Sequence, residues 1–493
     1  MNTNRRDFLT CSALAALGTA AAGCATDRAC AGCGAAGSLV GFRTKPMDRI
    51  RVGFIGVGER GMAALHRVML YPGVETAAIC DLRAEAADEG AAFLRKWKLP
   101  GAAHLYKGAE DSWKGLCEDP EVDIVYIATP QRLHAEQELY ALRHGKHVLC
   151  EVPGAETIEQ CWAIVEAAEK AQKHCFLLEN RCFREMETLA LSLAKRGMLG
   201  ELAYAEGAYI HNLTERGLED SFRNQHTKKV GRHGRNWNTY PTHPLGPICR
   251  YLDINRGDRM TTLVSMSADS FTAPAFSREH YAPDAWQNKI KYNGTDMNTT
   301  LIRTAKGRTI ELKFCLVTPR PYTRINLLAG TKGCFQGEPF EITFCEKAGD
   351  GGHEWFDEKR REEVRREYAH PMWRQLGKVV AELGTTDECN KFLGGHGGPD
   401  YLMDLAWIYA LRRGEPMPQD VYDLATWSSI VELSRMSVQS NSTSMDVPDF
   451  TRGGWARAKP QALADFDLES IGLDMAAFRS RALLWSGAPN ANS

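Results

Sequence analysis

The chain has 493 residues, of which 44% are hydrophobic and 25% are charged, and its formal net charge is −2. This composition is typical of a globular protein, and the nearly balanced charge excludes a general electrostatic attraction to nucleic acid or to an anionic membrane surface. After residue 40, no apolar run reaches the roughly 18 residues that a membrane-spanning helix requires. The length predicts two or three domains of ordinary size.

The first 24 residues resemble a twin-arginine export signal. The run Asn4–Leu9 carries the arginine pair, and an apolar stretch follows at Ala13–Ala22. The end of this stretch, Ala21–Cys24, resembles a lipobox, so lipid attachment at Cys24 and cleavage or retention of the leader without lipid stay as alternatives. Residues 25–47, rich in Gly, Ala, Thr and Cys, are predicted to be a spacer. This route exports folded proteins, so we expect a cofactor-loaded protein that is periplasmic or lipid-anchored to the membrane.

Residues 48–180 alternate apolar strands with helices. The predicted strands are Ile50–Ile55, Val74–Cys80, Val122–Ala128, His147–Glu151 and Cys175–Glu179, and the predicted helices are Gly61–Leu70, Ala84–Lys96, His134–His144 and Thr157–Lys173. Continuous apolar strands separated by helices are typical of a parallel sheet covered on both faces. The pattern predicts an α/β fold with an N-terminal doubly wound Rossmann domain.

A dinucleotide-binding fingerprint follows the first predicted strand. Gly56 allows the tight turn, Gly58 lets the pyrophosphate approach the backbone, and Gly61 lets the helix pack closely on the strand. Asp81 lies 20 residues after Gly61, at the end of the second strand. A carboxylate there accepts hydrogen bonds from ribose hydroxyls and repels a 2′-phosphate, which favours NAD over NADP. The alternative is a glycine-rich turn that binds no ligand.

The loop after Val122–Ala128 is also predicted to line the cofactor crevice, because ligands bind at the carboxyl ends of parallel strands. Its residues Gln131, Arg132, Leu133 and His134 are therefore expected beside the nicotinamide half. For His134 two interpretations stay open, namely contact with the cofactor and capping of the following helix.

Residues 181–493 have a different pattern, with strand-like segments rich in Thr, Tyr, Ile and Val. The predicted strands are Leu202–His211, Thr261–Ala268, Met297–Thr304, Thr309–Val317, Ile325–Ala329 and Phe340–Phe344, and the predicted helices include Tyr401–Arg412 and Tyr422–Ser437. This pattern predicts a C-terminal α+β substrate-binding domain with a mostly antiparallel sheet and C-terminal helices. The charged segment Asp357–Arg366 is expected to be a surface helix or a docking helix.

The fifteen cysteines do not form repeated metal-binding spacings. Cys30 and Cys33 make a single CxxC pair, and the cysteines after residue 33 are scattered among predicted strands and helices. We therefore predict no metal site, and we expect most thiols to be small core residues rather than disulfide partners.

The segment Gly145–Glu151 resembles the glucose–fructose oxidoreductase/inositol dehydrogenase superfamily. That superfamily usually continues with Lys-Pro, and its lysine helps to move the proton of a substrate hydroxyl, whereas this chain has Val152 followed by Pro153. An apolar side chain cannot do acid–base work. The Glu-Val-Pro variant resembles one branch in particular, glycoside hydrolase family 109, the NAD-dependent α-N-acetylgalactosaminidases.

Further segments agree with this resemblance, among them Leu178–Asn180, Glu206–Tyr209, Tyr240–Pro247, Asn255–Arg259 and Pro319–Tyr322. The resemblance implies cofactor contacts by Glu59, Arg60, Glu151, Val152, Asn180 and Tyr240, in addition to the fingerprint residues. It implies substrate contacts by Tyr209, Arg223, Tyr240, Pro241, Thr242, His243 and Tyr322. Arg223 departs from the family pattern, because more residues than expected separate it from Tyr240.

The resemblance also implies a mechanism. NAD takes hydride from C3 of the sugar, the resulting ketone acidifies C2, and a base removes the C2 proton so that the aglycone leaves from C1. Water then adds, and the hydride returns to C3, which gives hydrolysis without net redox change. His243 is the expected base and Tyr240 its partner. Which of the two acts at C2 and which at the C3 hydroxyl stays open.

The implied substrate is a glycan or glycoconjugate with terminal α-linked N-acetylgalactosamine. Two other functions stay as alternatives, namely an exported NAD-dependent sugar oxidoreductase of the same superfamily and a carbohydrate-binding module without turnover. Analogy with the superfamily suggests a homo-oligomer. His396, in the glycine-rich run 394–398, is a candidate pocket residue or an ordinary turn residue.

Overall fold

A computed structural model describes residues 37–100, 103–219, 234–345 and 354–488. The predicted export signal, Cys24, and Arg223 lie outside these residues. From Ser38 onward, the described residues belong to one compact unit.

The first sheet is a six-stranded parallel sheet in the order β3-β2-β1-β4-β5-β6. Its strands are β1 (Ile50–Ile55), β2 (Val74–Asp81), β3 (His104–Lys107), β4 (Ile124–Ile127), β5 (His147–Cys150) and β6 (Cys175–Leu177). The helices between them are α1 (Glu59–Val68), α2 (Ala84–Lys96), α3 (Ser112–Glu118), α4 (His134–Arg143) and α5 (Ile158–Ala171). This strand order is that of the Rossmann fold, which confirms the predicted N-terminal fold and places the cofactor crevice where β1 and β4 adjoin.

Burial explains which of these elements the sequence predicted. All four residues of β4 are buried, and every residue of β1 except Arg51 is buried, so both strands are almost continuously apolar. By contrast, β3 is an edge strand whose four residues are exposed or partly exposed, and it therefore lacks the apolar run of its neighbours. The prediction missed β3 for this reason, and it also missed the short helix α3.

The second sheet has eight strands in the order β13-β12-β11-β7-β10-β9-β8-β14. They are β7 (Leu202–Ile210), β8 (Met260–Ser267), β9 (Asn298–Thr304), β10 (Thr309–Cys315), β11 (Leu327–Gly330), β12 (Gly333–Gln336), β13 (Glu341–Phe344) and β14 (Met445–Asp446). Only the pair β7–β10 is parallel, so the predicted mostly antiparallel sheet is confirmed. The sequence analysis did not predict β12, which forms a short hairpin with β11.

The described helices in this part of the chain are α6 (Glu185–Lys195), α7 (Thr214–Leu218), α8 (Thr242–Tyr251), α9 (Thr272–His280), α10 (Glu358–Tyr368), α11 (Pro371–Thr385), α12 (Asp387–Leu393), α13 (Pro399–Arg413), α14 (Val421–Gln439) and α15 (Met475–Ser486). Among them, α8 contacts β7 and α14 contacts β8 of the second sheet. Helix α14 also contacts α5 and β6 of the Rossmann domain. Ser428 and Glu432 on this helix accept hydrogen bonds from backbone N–H groups of Gly154 and Ile158.

The predicted spacer needs a correction, because its last ten residues pack on the domain. Leu39 is buried in the main core, and its backbone N–H donates to the Tyr422 hydroxyl at 2.9 Å. The backbone N–H of Met47 donates to the carbonyl oxygen of Leu411. The folded domain thus begins before residue 48, because Leu39 is buried in the main core and Val40, Phe42 and Met47 pack against that core.

The described cysteines are free thiols, most of them buried, as expected for small core residues. Within the described ranges, no helix combines the length and apolar character needed to cross a bilayer. In the same part of the chain, no three metal-ligating side chains cluster closely enough to hold an ion. Helix α10, which the charge pattern predicted, is held to the protein surface by ion pairs of Arg361 with Glu341 and Arg365 with Glu185.

Candidate active site

The glycine fingerprint forms the turn between β1 and α1. Gly56 adopts a φ of 85°, which favours glycine. A Cβ on Gly61 would overlap the carbonyl oxygen of Gly56, so the first turn of α1 packs directly on the end of β1. A Cβ on Gly58 would meet only the Arg83 guanidinium, at 3.4 Å, which leaves the backbone open to a phosphate at the start of the helix. The turn therefore fits a dinucleotide.

Asp81, at the end of β2, fixes this turn. One carboxylate oxygen accepts a hydrogen bond from the Val57 backbone N–H at 2.9 Å, and the other accepts from the Arg83 backbone N–H at 2.9 Å. Asp81 is buried at the edge of the crevice. Each oxygen retains a second lone pair, so the same carboxylate can hold the turn and accept a ribose hydroxyl.

A buried ion-pair network extends from the fingerprint to the C-terminal helices. The Arg60 guanidinium contacts Glu151 at 2.6 Å and Asp400 at 2.6 Å. Asp400, on α13, also accepts the Asn180 side-chain amide at 2.7 Å and contacts the His396 Nδ1 at 2.7 Å. Burial alone would raise the pKa of Asp400, but the charges of Arg60 and His396 outweigh it and hold this pKa well below its ordinary value. A single ionised carboxylate thus orients three predicted site residues.

Asn180 keeps an acceptor for a ligand. Its amide nitrogen is bound to Asp400, whereas its side-chain oxygen is buried and has no hydrogen-bond partner among the described residues. A buried unpaired carbonyl oxygen is costly. An N–H or O–H group of a bound nicotinamide nucleotide would satisfy it, which supports the predicted cofactor contact of Asn180.

The loop after β4 is joined to the segment after β5. Gln131 lies in a short 3₁₀ turn with Arg132 and Leu133, and its side-chain amide donates to the carbonyl oxygen of buried Val152. The two ring nitrogens of His134 contact the carbonyl oxygens of Thr129 and Pro153, each at 2.8 Å. His134 is only 1% exposed and ties the two loops together, and its contact with the cofactor stays a prediction.

Glu59 differs from the other predicted cofactor residues. Its side chain is largely exposed at the start of α1 and forms an ion pair with Arg216 on α7 at 3.2 Å. An acidic residue in the first turn of a helix is favourable for the helix dipole. Any contact of Glu59 with the cofactor stays a prediction.

His243 lies on the second residue of α8 and is paired with Glu179. Its Nδ1 is 2.7 Å and 2.8 Å from the two carboxylate oxygens of Glu179. Glu179 is fully buried directly after β6, where its carboxylate also accepts the Arg181 backbone N–H, and its own backbone is held by Gln419. One imidazole nitrogen is thereby fixed, and the other is left for a ligand.

Burial disfavours the charged form of both Glu179 and His243. Burial raises the pKa of Glu179 to about 7, against the opposing effects of the Arg181 backbone hydrogen bond and the charges of Arg181 and Arg324. Burial also lowers the pKa of His243 well below its ordinary value, and the charges of Arg324, Arg181, His396 and Arg60 lower it further. His243 is therefore a neutral imidazole at neutral pH.

The rings of Tyr209 and Tyr240 form an aromatic wall beside His243. The Tyr209 and Tyr240 rings stack with their centroids 4.9 Å apart, and both meet the His243 ring edge to face, at 5.4 Å and 4.7 Å. Tyr322, which is 42% exposed, contacts His211 beside this group. Pro241 and Thr242 are buried at the start of α8. A stacked tyrosine pair with a neighbouring imidazole suits a sugar, which offers apolar ring faces and hydroxyl edges.

Glu179 and Asn180 are consecutive residues, and they connect the predicted substrate-binding residues with the predicted cofactor-binding residues. Glu179 contacts the substrate-side His243, and Asn180 contacts the cofactor-side network. Sequence reasoning did not assign Glu179, although a carboxylate at the carboxyl end of a buried strand was a usable signal. It also missed Asp400, Arg181 and Arg324, for which the sequence offered no comparable signal.

Comparison with protein families divides the chain in the same way. Residues 50–178 match the oxidoreductase family with an NAD-binding Rossmann fold. Residues 183–457 match the C-terminal domain of glycosyl hydrolase 109. The first domain therefore binds NAD, and the fingerprint turn, Asp81 and Asn180 fit this cofactor.

Individual relatives extend the likeness over nearly the whole chain. A glycosyl hydrolase family 109 protein 2 of Shewanella sp. (strain ANA-3) is 40% identical over 462 residues, covering 93% of this chain and 98% of that protein. A family 109 protein of Shewanella pealeana is 39% identical over 463 residues, covering 93% and 99%.

Solved structures share the fold at lower identity. An NAD-binding oxidoreductase from Klebsiella pneumoniae is 19% identical with a TM-score of 0.60, covering 81% of this chain and 100% of that one. Levoglucosan dehydrogenase, solved with NADH and levoglucosan, is 20% identical with a TM-score of 0.56 and the same coverage.

Proposed function

Because this chain belongs to glycosyl hydrolase family 109 and binds NAD in its Rossmann domain, we propose that it hydrolyses terminal α-linked N-acetylgalactosamine with no net redox change. The substrate is a glycan or glycoconjugate that carries this sugar. The observation that carries the proposal is the Glu179–His243 pair, which lies between the aromatic wall and the cofactor-side network.

The pair supplies a base rather than the acid of an ordinary glycosidase. Most glycosidases place two carboxylates across the scissile bond. Here the buried carboxylate of Glu179 is committed to the Nδ1 of His243, and the imidazole ring packs edge to face against Tyr209 and Tyr240. Such a site can remove a proton from carbon or from a hydroxyl group.

The proposed reaction uses transient oxidation of the sugar. The nicotinamide, when bound, supplies the hydride acceptor and donor for C3. His243 removes the C2 proton once the C3 carbonyl has acidified C2, and the aglycone leaves C1 with its bonding electron pair. The proton on the imidazole exchanges with solvent. Water then adds its oxygen to C1, the imidazolium returns a proton to C2, and the remaining proton of the water goes to the aglycone oxygen. Tyr240 hydrogen-bonds the C3 oxygen and exchanges its proton, while Tyr209 and Tyr322 hold the remaining hydroxyl groups or the acetamido group. Val152 provides no acid–base group in this cycle.

The protonation state of Glu179 decides which nitrogen of His243 is basic. An ionised Glu179 accepts the Nδ1–H, so Nε2 carries the free lone pair that removes a proton. A protonated Glu179 instead donates to Nδ1, which places the imidazole hydrogen on Nε2 and blocks the base. Since the pKa of Glu179 is about 7, the proposed base forms as the pH rises through neutrality.

The twin-arginine signal supports export of the folded, NAD-loaded protein to the periplasm, and Cys24 offers an anchor for lipid. A cofactor that is regenerated in each turnover needs no external pool. Analogy with the superfamily supports a homo-oligomer.

An assay without added cofactor tests the proposal. The purified protein is incubated with 4-nitrophenyl α-N-acetylgalactosaminide, and 4-nitrophenol and NADH are followed together. We expect 4-nitrophenol without accumulation of NADH. The competing activity, an NAD-dependent sugar oxidoreductase, would require added NAD and would accumulate NADH. Failure to produce either signal would contradict both enzymatic functions and leave carbohydrate binding.

A further inference from the structure

Two buried arginines beside the aromatic wall lack the partners that other buried arginines have. Arg181 is 8% exposed and Arg324 is 4% exposed. In the described part of the chain, neither guanidinium lies within ion-pair distance of a carboxylate, and Nε of Arg181 and one terminal nitrogen of Arg324 have no hydrogen-bond partner. By contrast, buried Arg67 pairs with Asp404, and partly buried Arg256 pairs with Asp423.

Both arginines belong to the substrate side of the site. The Arg324 guanidinium lies 4.1 Å from the Tyr209 ring centroid and 4.8 Å from that of Tyr322, and its Nε donates to the Tyr322 hydroxyl at 2.6 Å. The Arg181 guanidinium lies 6.0 Å from the Tyr322 ring centroid. The two side chains thus meet at Tyr322, which is partly open to solvent.

The charges of this pair are not balanced within the cluster. The Glu179 carboxylate is already bonded to His243 and to the Arg181 backbone N–H. The buried Glu187 carboxylate lies 3.8 Å from the Arg184 guanidinium. Glu338 accepts the Arg324 backbone N–H and is paired with Arg184 rather than with the Arg324 side chain. Consistent with two close cations, burial and the Arg181 charge lower the pKa of Arg324. An uncompensated buried charge is strongly unfavourable, so the arrangement favours an external anion.

We propose that Arg181 and Arg324 bind an anionic substituent on the substrate sugar, such as a sulfate, phosphate or carboxylate group. Guanidinium groups match the oxygen atoms of such groups and form charge-assisted hydrogen bonds with them. The position on the sugar rests on the proposed function. In that reaction C1, C2 and C3 face His243 and the nicotinamide, so the substituent is expected at C6, where it leaves the reacting carbons free.

Binding to the NAD-loaded protein tests this site without requiring turnover. Calorimetric titration at low salt compares N-acetylgalactosamine with its 6-sulfate, its 6-phosphate and the corresponding 6-carboxylate. We expect at least one anionic sugar to bind about 10-fold or more tightly than the neutral sugar. The three anionic sugars distinguish the sources of the negative charge. Equal affinity for all four sugars would overturn the proposal.

Variants show whether these two arginines are responsible. Arg324→Gln and Arg181→Gln should each reduce the ratio of affinities for the anionic and the neutral sugar to about 1-fold to 3-fold. The ratio is the readout, because Arg324 also contacts Tyr209 and Tyr322 and its loss can weaken binding of every sugar. Arg184→Gln is the matched control, because Arg184 belongs to the same cluster but already has Glu338 as a partner. A preference that survives in both arginine variants, or equal losses for neutral and anionic sugars, would contradict the assignment. If a glutamine variant fails to fold, Arg324→Lys, which retains the charge, is used in its place. The comparison of the four sugars on the wild-type protein still tests the proposal.

The outcome is separable from the proposed function. Release of 4-nitrophenol from the neutral glycoside, without preference for any anionic sugar, would leave the hydrolase proposal intact and overturn this one. Absence of release together with a preference that depends on Arg181 and Arg324 would contradict the hydrolase proposal and support the anion site.

Discussion

Replacement of Glu179 by glutamine separates the function of this carboxylate from its contribution to folding. The side chain is fully buried, and burial raises its pKa from the ordinary 4.5 to about 7. Between these two values the unfolded chain binds fewer protons at this group than the folded chain does. Stability from this group is therefore complete below about pH 4.5 and is lost as the pH rises to about 7.

The size of this loss follows from the same values. At 1.36 kcal/mol per pKa unit, a difference of about 2.5 units corresponds to roughly 3 kcal/mol in the free energy of unfolding at pH 8. Glu179→Gln removes this ionisation. We expect the difference in unfolding free energy between variant and wild type to shift by about 3 kcal/mol in favour of the variant between pH 4.5 and pH 8.

Although the Glu179→Gln variant should gain stability relative to the wild type as the pH rises, it should lose activity. Glutamine cannot fix the imidazole hydrogen on Nδ1 as a carboxylate does, so kcat should fall about 10²- to 10⁴-fold, while bound NAD is retained. The wild-type rate should rise as Glu179 ionises near pH 7, and the variant should lose this rise.

Urea denaturation across the pH range and kcat profiles of both proteins measure these effects. Glu138→Gln is the control for removing a buried carboxyl group, since burial raises the pKa of Glu138 to about 8 and it lies on α4 away from His243. A Glu179→Gln enzyme with wild-type kcat and an unchanged pH profile would refute the role assigned to this residue.

Three further variants test the site. Asp400→Asn removes the anion shared by Arg60 and Asn180 and should lower NAD content at least about 10-fold and stability by about 3 kcal/mol; full NAD absorbance after gel filtration would argue against this. His243→Ala should abolish release of 4-nitrophenol but keep bound NAD, and a measurable fraction of wild-type kcat above about 10% would exclude it as the base. Asp81→Ala should weaken NAD binding through loss of the Val57 contact, as measured by titration of cofactor-depleted protein, and unchanged affinity would contradict the expected ribose contact.

The sequence predicted those elements whose residues carry a local pattern, and it missed those that tertiary packing determines. β1 and β4 were recognisable because strands buried on both faces are almost continuously apolar. Helix α8 was missed because its ten residues include Pro244, Gly246 and Pro247, which ordinarily indicate a break in a helix. Its tertiary packing against β7 outweighs that local preference.

The same distinction applies to the site. Tyr240 and His243 lie in one short segment, so a motif identified both. Asp400 meets Arg60 and Asn180 across 340 and 220 residues of chain, and no periodicity or spacing marks such an encounter. Arg324 is notable because, among the described residues, no carboxylate lies within ion-pair distance of its guanidinium. A sequence does not show such a spatial relation.

The central claim is that the sugar is oxidised and reduced again during hydrolysis, with a proton removed from C2 in between. The most direct measurement uses 4-nitrophenyl α-N-acetylgalactosaminide carrying deuterium at C2. We predict slower release of 4-nitrophenol and loss of deuterium to water in the released sugar. Full retention of deuterium together with an unchanged rate would contradict the account.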